Sequence, residues 1–323
     1  MHRKSLGVAI VALALWPTAA TLQQPAPGNA ASNPALKWNE DQIKQAVSVA
    51  RVGRRLKPKA WPNGARVAVS LSFDIDNEYL TRPQLLPGPL SQGEYGAVQG
   101  LPRVLALMDS QQIPASFYVP ASSFINHPGM VKEIQASGRH EIGLHGWIHE
   151  NLAAIDNAAE EERLLTQSIE YLTKAMGKRP VGIRAPSWAL SRYSLGQFAK
   201  AGLLYDSSLM GADDPYEVMI NGQNTGLIEL PIEWILDDAP YFGSSGALPS
   251  PEMIFKVYRD EFDVAYKERG LFVLTMHPHV VGHRSRMVEL EKLVAYIKSK
   301  PGVWFATGEQ IARYLKEQNS GTR

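Results

Sequence analysis

The stretch Arg66 to Glu78, RVAVSLSFDIDNE, decides how this chain reads. From Val67 to Phe73 it is β-rich and nearly continuously apolar, the pattern of a strand buried on both faces. It then turns acidic, at Asp74, Asp76 and Glu78. Strands of this kind belong to parallel sheets covered by helices, and the active sites of such folds lie at the carboxyl ends of the strands. What stands at the other strand ends therefore decides what the chain can do.

The same character recurs downstream. Pro102 stands near the start of a helical segment reaching about Gln111, and Ile113 to Val119 reads as a second buried strand. Residues 128–138 read as a short helix closed by Gly138, and HEIGLHG as a short third strand running into a loop. In residues 157–177, Leu164, Leu165, Ile169, Leu172 and Met176 fall near one helical stripe, which Gly177 ends. VGIRAPSW (181–188), LLYDSS, GLIELPIEWI (226–235), LFVLTM and GVWF read as further strands with helices between them, while residues 40–57 have helical spacing and end in a basic cluster. This alternation predicts an α/β fold of about seven parallel strands closed as a (β/α) barrel, with an open doubly wound sheet as the alternative. No G-x-G-x-x-G opens a helix after a strand, which argues against dinucleotide binding. No linker divides residues 60–318, so residues 36–323 read as a single catalytic domain.

Composition narrows the function classes. The chain has 323 residues, 45% hydrophobic and 20% charged, which suits a globular protein with a sizeable core. Its net charge is +1, from 33 Lys and Arg against 32 Asp and Glu, so no strong field attracts nucleic acid or an anionic membrane. There is no cysteine, so any metal must be held by His, Asp, Glu or water. The N-terminus has basic residues at His2, Arg3 and Lys4, an apolar run from Leu6 to Trp16, then Thr18, Ala19 and Ala20. That is the three-part pattern of a secretory signal, read as residues 1–20, with a flexible Ala/Pro/Gln/Asn-rich leader at 21–35. It predicts a secreted, periplasmic protein with no membrane span once the signal is cleaved.

Chemistry-bearing residues recur at the strand ends. Asp74 and Asp76 follow the first strand, His145 and His149 the third, Arg184 and Trp188 the RAPSW strand, and His277 and His279 the LFVLTM strand. Asp74 and Asp76 are two apart, so both point the same way on an extended segment. His145 and His149 are four apart, close enough to share one ion from a tight loop or a helical turn. One Asp with two His gives three protein ligands and an open position, the pattern of a catalytic metal. Zinc suits this set best, and cobalt, nickel, manganese or iron(II) also fit. The second carboxylate is then free to act as a general base, with Arg184 to hold it ionised and His277 to protonate a leaving group. Each fragment alone has a plain structural reading as a solvated turn, a helix surface or a strand-to-loop bend. It is their joint occurrence, each at a strand end, that points to metal-assisted hydrolysis of an amide or ester. His140, Glu141, Glu150 and His283 are read as structural.

With these residues in hand, the chain resembles the polysaccharide deacetylase superfamily (NodB homology, carbohydrate esterase family 4) over about residues 65–315. SFDIDNE, HGWIHE, RAPSW and TMHPHVVGH are similar to its motifs, in its order. LSQGEYGAVQGLPRVL, DDAPYF and MHPHVVGHRSR are similar to its peptidoglycan-deacetylase-like and allantoinase-like branch. The resemblance implies a distorted NodB-like barrel and one divalent metal. By motif match, Asp74 would be the base, Asp76, His145 and His149 the metal ligands, Arg184 the group orienting Asp74, and His277 the acid. Trp188 would line the pocket, with Glu78, Tyr95 and His279 as further substrate contacts. Members of the branch often form tetramers, and residues 237–243 would form a lid or part of an interface. Ile75 separates the two aspartates where the wider family has them adjacent, and His283 stands where relatives of this branch often carry Arg. The expected activity is deacetylation of an N-acetylated envelope sugar such as peptidoglycan. The alternatives are hydrolysis of a small cyclic amide or imide, and a glycan-binding module without chemistry.

Overall fold

A computed structural model describes residues 34–78, 80, 85–243 and 248–319. The expected signal segment 1–20, and all of the leader but its last two residues, lie outside the described residues. The chain divides between Ala46 and Val47 into two compact units. In the first, the helix Glu40–Val47 begins after Asn39, whose Oδ1 accepts the Gln42 N–H at 2.9 Å while Gln42 Oε1 accepts the Asn39 N–H at 2.9 Å. This reciprocal pair satisfies two backbone donors that a helix start leaves open.

The second unit is built on one ten-stranded sheet. Its strands are β1 (Arg51–Arg55), β2 (Val67–Asp74), β3 (Ser116–Val119), β4 (Glu141–Leu144), β5 (Gly182–Ile183), β6 (Tyr205–Asp206), β7 (Tyr216–Ile220), β8 (Gln223–Glu229), β9 (Leu271–Met276) and β10 (Val303–Phe305). The order is β1-β7-β8-β6-β5-β4-β3-β2-β10, with β9 also on β2. All pairings from β8 through β6, β5, β4 and β3 to β2, and those of β9 and β10 with β2, are parallel. The sheet curls into a half-barrel, and one isolated bridge, Asp237 to Thr275, ties the segment after β8 to β9. The expected mixed α/β architecture is therefore the observed one.

β2 is buried along its whole length, as its sequence predicts. Val67, Val69, Leu71 and Phe73 join the larger core, which includes Leu101, Val104 and Met108 from the helix Leu101–Ser110 and Leu290 and Val294 from the helix Arg284–Lys298. Ala68, on the other face, joins a second core inside the curl with Tyr118, Tyr205, Trp188 and Ile311. The helix Ala158–Met176 buries Leu165 and Leu172, starts on Asn157, whose side chain caps Ala159 and Glu160, and ends at Gly177 in the left-handed region at φ 73°. A cap of the Asn157 type is worth about 1 kcal/mol.

Two expectations change. Residues 40–57 are not one helix: the helix stops at Val47, and Arg51–Arg55 forms the edge strand β1, antiparallel to β7. A side chain at Gly53 would meet the Glu217 carbonyl at 2.6 Å, so this backbone pairs closely in a way that helical spacing did not reveal. The strand expected at 226–235 is instead Gln223–Glu229, the second arm of an antiparallel hairpin with β7.

Candidate active site

The strand ends converge at one mouth of the curl. Asp74 ends β2, and Asp76 follows on the same side, both almost wholly buried. Beyond β4, Gly146 turns the chain at φ 80°, and the Glu150 carboxylate accepts the N–H groups of Trp147 (3.0 and 2.9 Å) and Ile148 (2.8 Å). That clasp folds residues 145–150 into a tight loop, with His149 held at φ 62°. A non-glycine residue in this region stores strain, which surrounding bonds must hold. Asn77, Ser187 and Trp188, at φ 45°, 52° and 54°, sit in the same region on neighbouring loops.

The loop brings His145 Nε2 to 3.3 Å from Asp76 Oδ1, and His149 Nε2 to 3.5 Å from Asp76 Oδ2. Ligand atoms of these three residues all lie within 4.8 Å of one another. His145 Nδ1 donates to the Arg184 carbonyl at 2.7 Å, so its proton sits on that nitrogen and Nε2 presents a lone pair. Asp76 Oδ1 is buried and has no properly directed hydrogen bond. Two electron pairs thus face each other across 3.3 Å, and a cation or a second proton on His145 must lie between them. The donor set fits a divalent metal with an open position. Burial alone would raise the Asp76 pKa, but His149, His277 and His145 outweigh it and hold the carboxyl well below its ordinary value. Burial holds the His149 pKa down, which favours the neutral ring that a ligand needs.

Asp74 uses its two oxygens differently. Oδ1 accepts from Arg184 Nη1 at 2.8 Å, and Oδ2 lies 3.7 Å from His145 Nε2. Arg184 is completely buried. Its remaining donors reach Ser72 Oγ (2.9 Å), the Ser207 carbonyl (3.0 Å) and Ser207 Oγ (3.0 Å). The guanidinium therefore cannot leave Asp74 without abandoning the other bonds as well.

His277 approaches from β9. Its Nδ1 lies 2.7 Å from Asp238 Oδ1, and its Nε2 lies 3.6 Å from Asp76 Oδ2. Burial works against a charged ring here, but Asp237, Asp76 and Asp238 outweigh it and raise the His277 pKa well above the ordinary value. Asp237 itself is pushed up to about 7, by burial first and then by Asp238. Asp237, Asp238 and His277 are also close enough to share an ion. Their atoms are already engaged with one another and with backbone: Asp238 takes the His277 ring and its N–H, and Asp237 Oδ1 takes the Ala239 N–H at 2.8 Å. Sequence reasoning named neither aspartate, only the stretch that contains them. The segment 237–243, expected as a lid or interface, roots its first two residues beneath His277, continues as the helix Ala239–Phe242 and lines the cavity with Ala239, Pro240, Phe242 and Gly243.

Asp74, Asp76, His145, His149 and His277 line one cavity of about 880 Å3. Trp188 and His279 line it too, and so do Trp234, Asp237 and Arg286, which the sequence did not single out. Trp234 is 48% exposed, and its ring centroid lies 4.1 Å from that of Trp188. The structure gives Glu78 and Tyr95, expected as substrate contacts, other partners. Glu78 grips His127 Nε2 at 2.9 and 3.0 Å. Tyr95 donates to the Gly282 carbonyl at 3.1 Å, accepts from Arg103 at 2.6 Å and stacks on His283 at 4.1 Å. Glu141 lies at the opposite end of β4 from His145 and takes bonds from Ser116 and Tyr205, in keeping with a structural reading. His140 pairs with Asp109.

Comparison with known proteins places this fold and site in context. The family profile described as polysaccharide deacetylase matches residues 88–205. A peptidoglycan deacetylase of Helicobacter pylori is 32% identical over 263 residues, covering 72% of this chain and 89% of the relative. A solved "putative polysaccharide deacetylase" from Mycobacterium smegmatis is 34% identical with a TM-score of 0.76, covering 83% of this chain and 96% of that one. A solved allantoinase shares the fold, with a TM-score of 0.74 at 23% identity over 82% of this chain and 94% of its own. The chain belongs to the polysaccharide deacetylase family of hydrolases. Among the described residues no helix is long and apolar enough to cross a membrane.

Proposed function

We propose that this protein removes the acetyl group from an N-acetylated sugar of the cell envelope, with peptidoglycan as the substrate. The observation that carries the reading is the division of Asp74: one oxygen is fixed by Arg184, and the other faces the Asp76–His145–His149 cluster. Asp76, His145 and His149 would hold one divalent ion, and zinc suits their two nitrogens and one oxygen. When bound, the ion supplies Lewis acidity to the acetamide carbonyl and acidifies water beside it. Asp74 accepts the proton of the attacking water, because Arg184 fixes one carboxylate oxygen and leaves the other aimed at the cluster. His277, whose pKa Asp237, Asp76 and Asp238 raise, gives a proton to the sugar nitrogen as the C–N bond breaks. Acetate and a free amine are the products; Asp74 gives up the proton it took and His277 takes one up, which restores both groups for the next turnover. The family membership and the Helicobacter pylori relative support a glycan substrate. The signal-like segment at 1–20 supports export to the compartment where peptidoglycan lies.

The test is acetate release from purified peptidoglycan by the zinc-loaded protein, with Asp74→Asn as the blank. Release by the wild type alone is expected. No release from protein shown to hold its metal would abandon the sugar substrate and turn the search to small cyclic imides and ureides.

A further inference from the structure

Beneath Arg184 a column of polar side chains crosses the inside of the curl. The Arg184 guanidinium carbon lies 4.3 Å from the centre of the Tyr118 ring. The Tyr118 hydroxyl is 3.0 Å from that of Tyr205, which donates to Glu141 Oε1 at 2.7 Å. Because Tyr205 spends its proton on Glu141, Tyr118 donates to Tyr205. Glu141 ends the column, also taking bonds from Ser116 Oγ (2.7 Å) and the Glu309 N–H (2.9 Å). Tyr118 and Tyr205 are almost completely buried.

The surrounding backbone is cut to fit these two rings. A Cβ at Gly143 would meet Tyr118 Cδ1 at 2.7 Å, one at Gly182 would meet Tyr205 Cζ at 2.0 Å, and one at Gly308 would meet the Tyr205 hydroxyl at 2.5 Å. Glycines on β4 and β5 and at the start of the helix Gly308–Asn319 thus make room for the column. Simple core filling does not need the hydroxyl chain.

We propose that Tyr118, held by Tyr205 and Glu141, is a positioning residue that sets the height and tilt of Arg184 and so aims Asp74. The hydrogen bonds of Arg184 run to Ser72, Asp74 and Ser207 and fix the guanidinium within its plane. Such bonds yield easily to tilting out of the plane, and an aromatic face at van der Waals distance removes that freedom. The proposal rests on the reading of Asp74 as the base. A displacement of about 1 Å at such a group costs roughly 100-fold in rate.

The test compares Tyr118→Leu, Tyr118→Phe and Asp74→Asn in the full zinc-loaded chain, on solubilised peptidoglycan fragments. Tyr118→Leu is expected to lose kcat by about 10- to 100-fold with little change in KM or bound zinc. Tyr118→Phe, which keeps the ring over Arg184 but loses the hydroxyl that Tyr205 holds, is expected to fall between the Leu variant and the wild type. Equal losses in the two variants, or a Leu variant at wild-type kcat while Asp74→Asn is dead, would overturn the proposal. An active Asp74→Asn would instead sink the reading of the base. Should Tyr118→Leu fail to fold, Gly143→Ala displaces the ring by its Cβ, and the same kcat loss is expected. Hydrogen exchange at Arg184 Nε–H needs no turnover: protection in the wild type and the Phe variant, lost in the Leu or Gly143→Ala variant, is the expected pattern, and equal protection in all overturns the proposal.

Discussion

Asp238 Oδ1 lies 2.7 Å from His277 Nδ1, and the other oxygen of the same carboxylate takes the His277 backbone N–H at 3.1 Å. Both bonds hold the ring so that Nε2 faces the cavity, 3.6 Å from Asp76 Oδ2. Asp238→Asn keeps the shape but removes one of the three carboxylates, Asp237, Asp76 and Asp238, that raise the His277 pKa, and the one bonded to its Nδ1. A general acid contributes roughly 10²–10⁴-fold, so a fall in kcat of about 10²-fold is expected. KM and bound metal should barely change, because Asp238 does not itself line the cavity and is not one of the ion ligands. Steady-state kinetics decide it, and a variant with wild-type kcat would mean that Asp238 does not set the proton on His277.

The ion ligands make a second prediction. Asp76→Ala leaves two imidazoles and no carboxylate, so the protein should no longer retain about one zinc per chain after dialysis, as measured by elemental analysis. Chelation of the wild type should stop acetate release, and added zinc should restore it. Full activity after demonstrated metal loss would count against the whole mechanism.

Trp234 gives a third. It is 48% exposed at the cavity wall and packs on Trp188, a surface suited to the C–H face of a sugar ring. An aromatic contact of this sort is worth about 1 kcal/mol, so Trp234→Ala should raise KM about fivefold with kcat nearly intact. If KM for glycan fragments is unchanged, the substrate does not lie across this pair.

Most of this site was readable along the chain because each part is local. β2 is a short run buried on both faces, and its acidic residues follow directly. The His145–His149 loop carries its own clasp, Glu150. Asp238 was missed because it meets His277 from 39 residues away, through a turn after β8 rather than at a strand end. Glu78 looked like part of the acidic cluster, yet folding hands it to His127, 49 residues on. The β7–β8 hairpin was missed for another reason. In a chain dominated by strand–helix alternation, Tyr216–Ile220 was not recognised as a strand at all, and only its pairing reveals it.

The last prediction concerns two carboxyls away from the cavity. Asp206 on β6 and Glu229 on β8 are register neighbours, and both are completely buried. Asp206 Oδ1 accepts from Ser208 at 2.6 Å, and Glu229 Oε1 accepts the Ser208 and Leu209 N–H groups at 3.0 and 2.9 Å. Asp206 Oδ2 and Glu229 Oε2 are buried with no hydrogen-bond donor, and a proton shared between the two side chains would satisfy both. Burial, and for Glu229 the neighbouring Asp206, raise both groups: Asp206 to about 6, and Glu229 well above its ordinary value. Carboxyls whose pKa is raised on folding bind protons more tightly in the native state than in the unfolded one. Their contribution to stability is therefore full below about pH 4 and is lost as pH rises through about 6 and beyond. In Asp206→Asn, Oδ1 can still accept from Ser208, and the amide can donate to Glu229 without any shared proton. A tenfold difference in proton affinity between the folded and unfolded states is worth about 1.4 kcal/mol, so the variant should melt a few degrees above the wild type at pH 8 and lose that advantage near pH 4. Thermal melts across this range test it, and parallel curves for the two proteins would mean that no proton is shared.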